Sequence, residues 1–100
     1  MRKAEALARL RALPGWALAG GGKAIRRDYR LKDFLAAVSL IRRIAPLAQA
    51  MDHHPDLHLT GYRELKVVLT THDAGGLTLL DFRLAAKIEA LNAGKRGSAR

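Results

Sequence analysis

Asp52-His53-His54-Pro55 sets two imidazoles side by side against a proline, and His72 supplies a third ring further along the chain. Imidazole ordinarily titrates at about pH 6.5, so in a group of such rings one can donate a proton while another accepts one near neutrality. That pairing suits the elimination of water from a substrate. The same residues can also be weighed as a metal site, because histidines together with Asp52 are zinc ligands by type. Against this, adjacent histidines point apart, the i, i+4 pair of the helical zinc motif is missing, and no Glu stands beside them to act as base. The expectation is a site that works without metal. His58, on a strand between leucines, is expected to be structural or exposed. Covalent chemistry has no candidate: there is no cysteine and no G-x-S-x-G, and Ser39 falls in a long helix and Ser98 in the tail.

The rings can meet only if the chain between them turns back on itself. Asp56 to Thr60 reads as a short strand, Gly61 helps a reversal, and Leu65 to Thr71 reads as a second strand rich in β-branched residues. In such a hairpin the start of the first strand lies beside the end of the second, which brings the His-His pair to His72. Alternation puts His72 on the face of Lys66, Val68 and Thr70, opposite Leu65, Val67, Leu69 and Thr71.

The other elements follow from the same kinds of signal. Leu7, Leu10 and Leu13 mark a first helix over about Ala4 to Leu13, which Pro14-Gly15 closes. Trp16 to Ala19 is a brief strand, Gly20-Gly21-Gly22 a turn, and Ile25, Arg27, Tyr29 and Leu31 alternate as a strand paired back on the first. The three glycines lack the spacing and the following helix of a phosphate loop, so they read as a turn and not as a nucleotide site. Phe34, Val38, Ile41, Ala45, Ala48 and Met51 recur along one face of the main helix, in which Pro46 predicts a kink or a restart. Pro55 is expected to end that helix, with His53 still in its last turn. A final helix runs from about Thr78 to Leu91 with Leu80, Leu84 and Ile88 in register, and Thr78 with Asp81 forms a capping box. The order α-β-β-α-β-β-α predicts an α+β fold, a four-stranded antiparallel sheet with its helices packed on one face. One domain is expected over 1–92, followed by a basic tail, 93–100, that frays.

Composition narrows the function further. Eighteen Lys and Arg against nine Asp and Glu leave a formal charge of +9. The basic residues are spread over most of the chain, with no long basic helix and no aromatic-rich binding strand, so nucleic acid is not the expected partner. A basic surface suited to an anionic small molecule or an acidic protein fits better. No apolar run reads as a signal peptide or a membrane span, and the absence of cysteine fits a reducing cytoplasm.

Taken together, Asp52-His53-His54-Pro55, the later Thr71-His72-Asp73-Ala74-Gly75-Gly76-Leu77-Thr78 and Asp81 resemble the pterin-4a-carbinolamine dehydratases. The likeness reaches back to Gly15-Trp16 and Lys32-Asp33-Phe34 and forward through Leu84 to Leu91, nearly the whole chain. It implies dehydration of a 4a-hydroxytetrahydropterin to the quinonoid dihydropterin, with His53, His54 and His72 as the catalytic histidines. Asp52, Pro55 and Thr71 would shape the pocket, with Gln49, Trp16 and Asp81 close to the substrate. It also implies a homodimer or a dimer of dimers. Two departures stand out. Gln49 occupies the place of the family's usual Glu and cannot take a proton. Leu57 replaces a frequent aromatic, in a segment one residue longer than the common spacing. Some members of the family act instead as scaffolds, as a dimerisation coactivator of a homeodomain transcription factor or in Rubisco assembly, and this is the alternative that the resemblance carries.

Overall fold

The computed structural model describes residues 1–99, with side chains described as far as Leu91. Helix α1 (Lys3–Leu10) leads into strand β1 (Trp16–Ala19) and strand β2 (Ala24–Arg30). Helix α2 (Phe34–Met51), strands β3 (Asp56–Thr60) and β4 (Glu64–Leu69) and helix α3 (Leu79–Ala99) follow. The expected α+β order is the observed one. All strand pairs are antiparallel, in the spatial order β1-β2-β4-β3. The basic tail, 93–100, expected to fray, follows the backbone of α3 as far as Ala99, and Arg100 lies outside the described residues.

Alternation along the strands decides what each face buries. Ile25, Tyr29, Leu65, Val67 and Leu69 point inward and are buried, while Arg26, Asp28, Arg30, Lys66 and His58 point outward and are exposed. Three helices cover the inner face, with Ala6 of α1, Leu40 and Ile44 of α2, and Leu84 and Ile88 of α3 joining one core cluster with the sheet.

Several boundaries and faces depart from the sequence expectation. Helix α1 stops at Leu10, leaving Leu7 exposed while Leu13 is buried beyond it. Helix α2 is one uninterrupted element through Pro46, with no restart. It starts on Asp33, whose Oδ1 accepts the Ala36 N–H at 2.8 Å. Its buried stripe is Ala37, Leu40, Ile44 and Ala48; of the face read from spacing only Ala48 is buried, and Phe34 is half exposed. Phe34 to Val38 are all apolar, so two stripes offset by a few residues satisfy helical spacing equally well, and packing against the sheet selects one. By length and a mean hydropathy of 1.3, α2 passes for a membrane span, which the sequence reading did not anticipate. Arg42 and Arg43 in mid-helix would be costly in a bilayer, and the buried stripe packs in the core.

Helix α2 ends at Met51, four residues before the proline, and His53 lies outside it. Asp52 adopts the left-handed conformation (φ 49°), its N–H bonds to the Gln49 carbonyl at 3.1 Å, and the His53 N–H reaches back to the Ala48 carbonyl at 3.1 Å. This is a Schellman closure with aspartate where glycine is commonest. Strand β4 likewise ends earlier than expected, at Leu69; Thr71 forms a single bridge with Gly76, and His72 opens a short 3-10 turn, His72–Ala74. The ends of α2 and β4 meet at one end of the sheet. Asp56 pairs with Val68 in the hairpin register, and carrying that register back two residues sets His54 opposite Thr70.

Candidate active site

Asp52, His53, His54, Thr70, Thr71, His72 and Asp73 line one hollow of about 240 Å³ at this end of the sheet. The backbone sets each of them. The left-handed Asp52 swings the chain out of α2 so that the next side chain, His53, turns inward and is buried, while His54 stays exposed. The turn after Thr71 presents His72 and Asp73, both exposed, from the facing segment. Among the described residues no group of three or more His, Asp and Glu side chains is arranged to hold a metal ion.

His53 is the fixed ring of the three. Its Nε2–H donates to Oδ1 of Asp81 at 2.6 Å, and Asp81 is fully buried at the start of α3. The other carboxylate oxygen, Oδ2, accepts the Thr71 hydroxyl at 2.8 Å and the Thr78 backbone N–H at 2.9 Å. Thr78 in turn donates its hydroxyl to Thr71 Oγ1 at 2.8 Å, and its own Oγ1 takes the Leu80 N–H at 3.3 Å. Half of the capping box read from Thr78 and Asp81 is therefore present: the Asp81 carboxylate takes the Thr78 N–H, while Thr78 Oγ1 takes the Leu80 N–H and not that of Asp81. The same carboxylate orients a histidine 28 residues away in sequence. With Nε2–H committed to Asp81, Nδ1 is the ring nitrogen of His53 left to accept a proton.

At the mouth, His54 Nε2–H donates to the Gln49 side-chain carbonyl at 3.2 Å, which leaves Nδ1 of that ring free to act. The structure thus brings together His53, His54, His72, Asp52 and Thr71, with Gln49 alongside His54. Pro55 is outside the lining, next to it in sequence. Asp81 is close but enclosed, with both oxygens taken by protein donors, so it is placed as a support of His53 and not as a group facing a ligand. Trp16 is elsewhere: its indole N–H donates to Glu89 Oε2 at 3.0 Å, beside the Tyr29 hydroxyl, which donates to the same oxygen at 2.7 Å. Burial, and then the Glu89 hydrogen bond, push the Tyr29 hydroxyl well above its ordinary range. Trp16 sits on β1, separated from β3 by two strands, and its polar atom is occupied. Thr70 and Asp73 line the hollow without having been singled out in the sequence; alternation for Thr70 and adjacency to His72 for Asp73 were the available signals.

The fold agrees with the comparisons. The sequence profile of the Pterin 4 alpha carbinolamine dehydratase family matches residues 1–91, and the chain belongs to that family. A protein of Saccharolobus solfataricus, whose name gives pterin-4-alpha-carbinolamine dehydratase as a provisional assignment, is 47% identical over 77 residues, covering 77% of this chain and 78% of its own. A protein of Rhodopseudomonas palustris with the same provisional name is 46% identical over 86 residues, 86% of this chain and 84% of its own. The crystal structure of a transcriptional coactivator/pterin dehydratase from Brucella melitensis superposes with a TM-score of 0.84 at 37% identity, covering 90% of this chain and 95% of that one. A pterin dehydratase-like protein described as a RuBisCO assembly factor of the alpha-carboxysome shares the fold, with a TM-score of 0.64 at 15% identity over 77% of this chain and 88% of its own.

Proposed function

We propose that the hollow binds a 4a-hydroxytetrahydropterin and eliminates water from it to give the quinonoid dihydropterin. The observation that carries this is the meeting of three imidazoles from two separate segments in one hollow, with one ring locked by a buried carboxylate. In the reaction the C4a–O bond breaks, the N5 proton leaves, a C4a=N5 double bond forms, and hydroxide and proton depart as water. His53 Nδ1, held in place through Asp81, accepts the N5 proton. An exposed ring, His54 or His72, protonates the leaving hydroxyl. Asp52 and Asp73 suit the N–H donors of the aminopyrimidinone edge, and Thr71 fixes the wall between them. Gln49 orients His54 and takes no proton. The proposed chemistry uses no metal and no cofactor, and belongs to a chain working in the cytoplasm.

Turnover of 4a-hydroxytetrahydropterin by the purified chain tests this. General acid or base groups are worth roughly 10²–10⁴-fold, so His54→Ala is expected to lose about that factor while its circular dichroism spectrum is unchanged. A wild-type rate no faster than the uncatalysed reaction sinks the reading.

The second reading is a scaffold whose client is another protein, such as Rubisco or a transcription factor. Gln49 in the place of the family's usual Glu favours it. Gln49→Glu separates the two: a gain in turnover over an already active wild type supports the enzyme, and no turnover in either chain supports the scaffold.

A further inference from the structure

A larger cavity, about 550 Å³, lies beside the histidine hollow and is lined by Lys3, Leu18, Ala19, Gly21, Gly22 and Lys23, with Met1 at its edge. The two concavities share a wall. Thr70, which lines the histidine hollow, donates its hydroxyl to the backbone carbonyl of Lys23 at 2.6 Å, and Lys23 lines the second cavity. Gly76 also lies against Lys23, where an added Cβ would be 3.9 Å from its Cα, Cβ and Cγ.

The chemistry of the second cavity is one-sided. Its charged side chains are Lys3 and Lys23, no carboxylate lines it, and neither lysine forms an ion pair among the described residues. Gly21 and Gly22 adopt left-handed conformations and have open space where a Cβ would point, so bare backbone faces the cavity. The turn is followed by β2 and not by a helix, so it is no phosphate loop. Two unpaired ammonium groups over an uncluttered glycine turn nevertheless make a surface for an anion.

The histidine hollow, at about 240 Å³, has room for a bicyclic ring and little more. A substituent on that ring has to leave it, and the Thr70–Lys23 wall is where the neighbouring space begins. We infer that the cavity of Lys3, Lys23, Gly21 and Gly22 receives an anionic substituent, a phosphate ester or a carboxylate, carried by the pterin whose ring occupies the histidine hollow. This rests on the pterin reading above and narrows it to pterins with a negatively charged side chain.

Binding of three dihydropterins to the full chain tests it: one with a neutral polyol at C6, one with the phosphate ester of that polyol, and one with an aryl-glutamate. At low salt at least one anionic form is expected to bind about tenfold more tightly than the neutral one, the size two exposed ion pairs supply together, and the preference is expected to fade as salt is raised. Which anionic form gains tells phosphate from carboxylate. In Lys3→Ala/Lys23→Ala the ratio is expected to collapse to near one. Truncating Lys23 leaves its carbonyl, and so the Thr70 hydrogen bond, in place. A ratio near one in the wild type, or one that survives in the double variant, overturns the inference and leaves the pterin reading standing. If none of the three binds, both fall.

Discussion

Asp81 is the residue on which most of the site depends, although it faces no ligand. Its two oxygens satisfy the His53 ring, the Thr71 hydroxyl and the backbone N–H of Thr78, the residue before α3. Asp81→Ala leaves those donors without an acceptor, and a buried unsatisfied donor costs about 1–3 kcal/mol. Urea unfolding is therefore expected to show a loss on the order of 3–5 kcal/mol, whereas His72→Ala, at an exposed position, should change stability by less than about 0.5 kcal/mol. Comparable losses in the two variants would contradict this account. Tyr29 gives a residue-scale prediction of another kind. Its hydroxyl ordinarily titrates at 10.0 and is pushed upward in the fold, by burial first. The stability this contributes is full below pH 10 and is lost as pH rises further, because the unfolded chain then releases a proton that the folded one keeps. Thermal melts across that alkaline range should fall less steeply in Tyr29→Phe than in the wild type. At this scale the sequence was half legible. The Thr78/Asp81 cap is local and could be read from spacing, while its bond to His53 joins positions 28 apart and depends on how α3 docks.

Among the elements, the strands were the most legible, because alternation with a period of two leaves one choice of face once a core exists. The end of α2 was misread for a physical reason. The restriction that Pro55 places on its neighbour is real, but the helix had already closed three residues earlier on a left-handed aspartate, a conformation for which glycine is the usual signal. The same feature makes a test. Asp52→Gly relieves a left-handed non-glycine residue and is expected to leave stability unchanged or raise it by up to about 1 kcal/mol, whereas Asp52→Val should lower it. Thermal unfolding reads the difference. Substrate affinity of Asp52→Gly then reports what the carboxylate contributes to binding, separated from its part in closing the helix.

For the whole molecule, the helices cover one face of the sheet and leave the other charged and open, with Arg26 paired to Asp28 at 3.3 Å and Arg30 to Glu64 at 3.7 Å across it. The fold class could be read from element order alone. The burial of α2 could not, because its sequence is apolar on more than one side. What packing leaves over is visible on the surface: Phe34 is 52% and Leu35 77% exposed. We expect this apolar ridge to be the contact of the homodimer that the family resemblance implies. Sedimentation should find the wild type larger than a monomer and Phe34→Lys/Leu35→Lys shifted toward one; a monomeric wild type would count against that ridge as an interface.

The sharing of one carboxylate between the start of α3 and the His53 ring also bears on how such a chain can change its trade. A lineage that abandoned dehydration would still need Asp81, Thr71 and Thr78 to begin its last helix, and His53 to fill the space beside them. Those four would outlast the chemistry. His54 and His72, held by nothing that the fold requires, would be free to drift, and their retention is the better witness to a working catalyst.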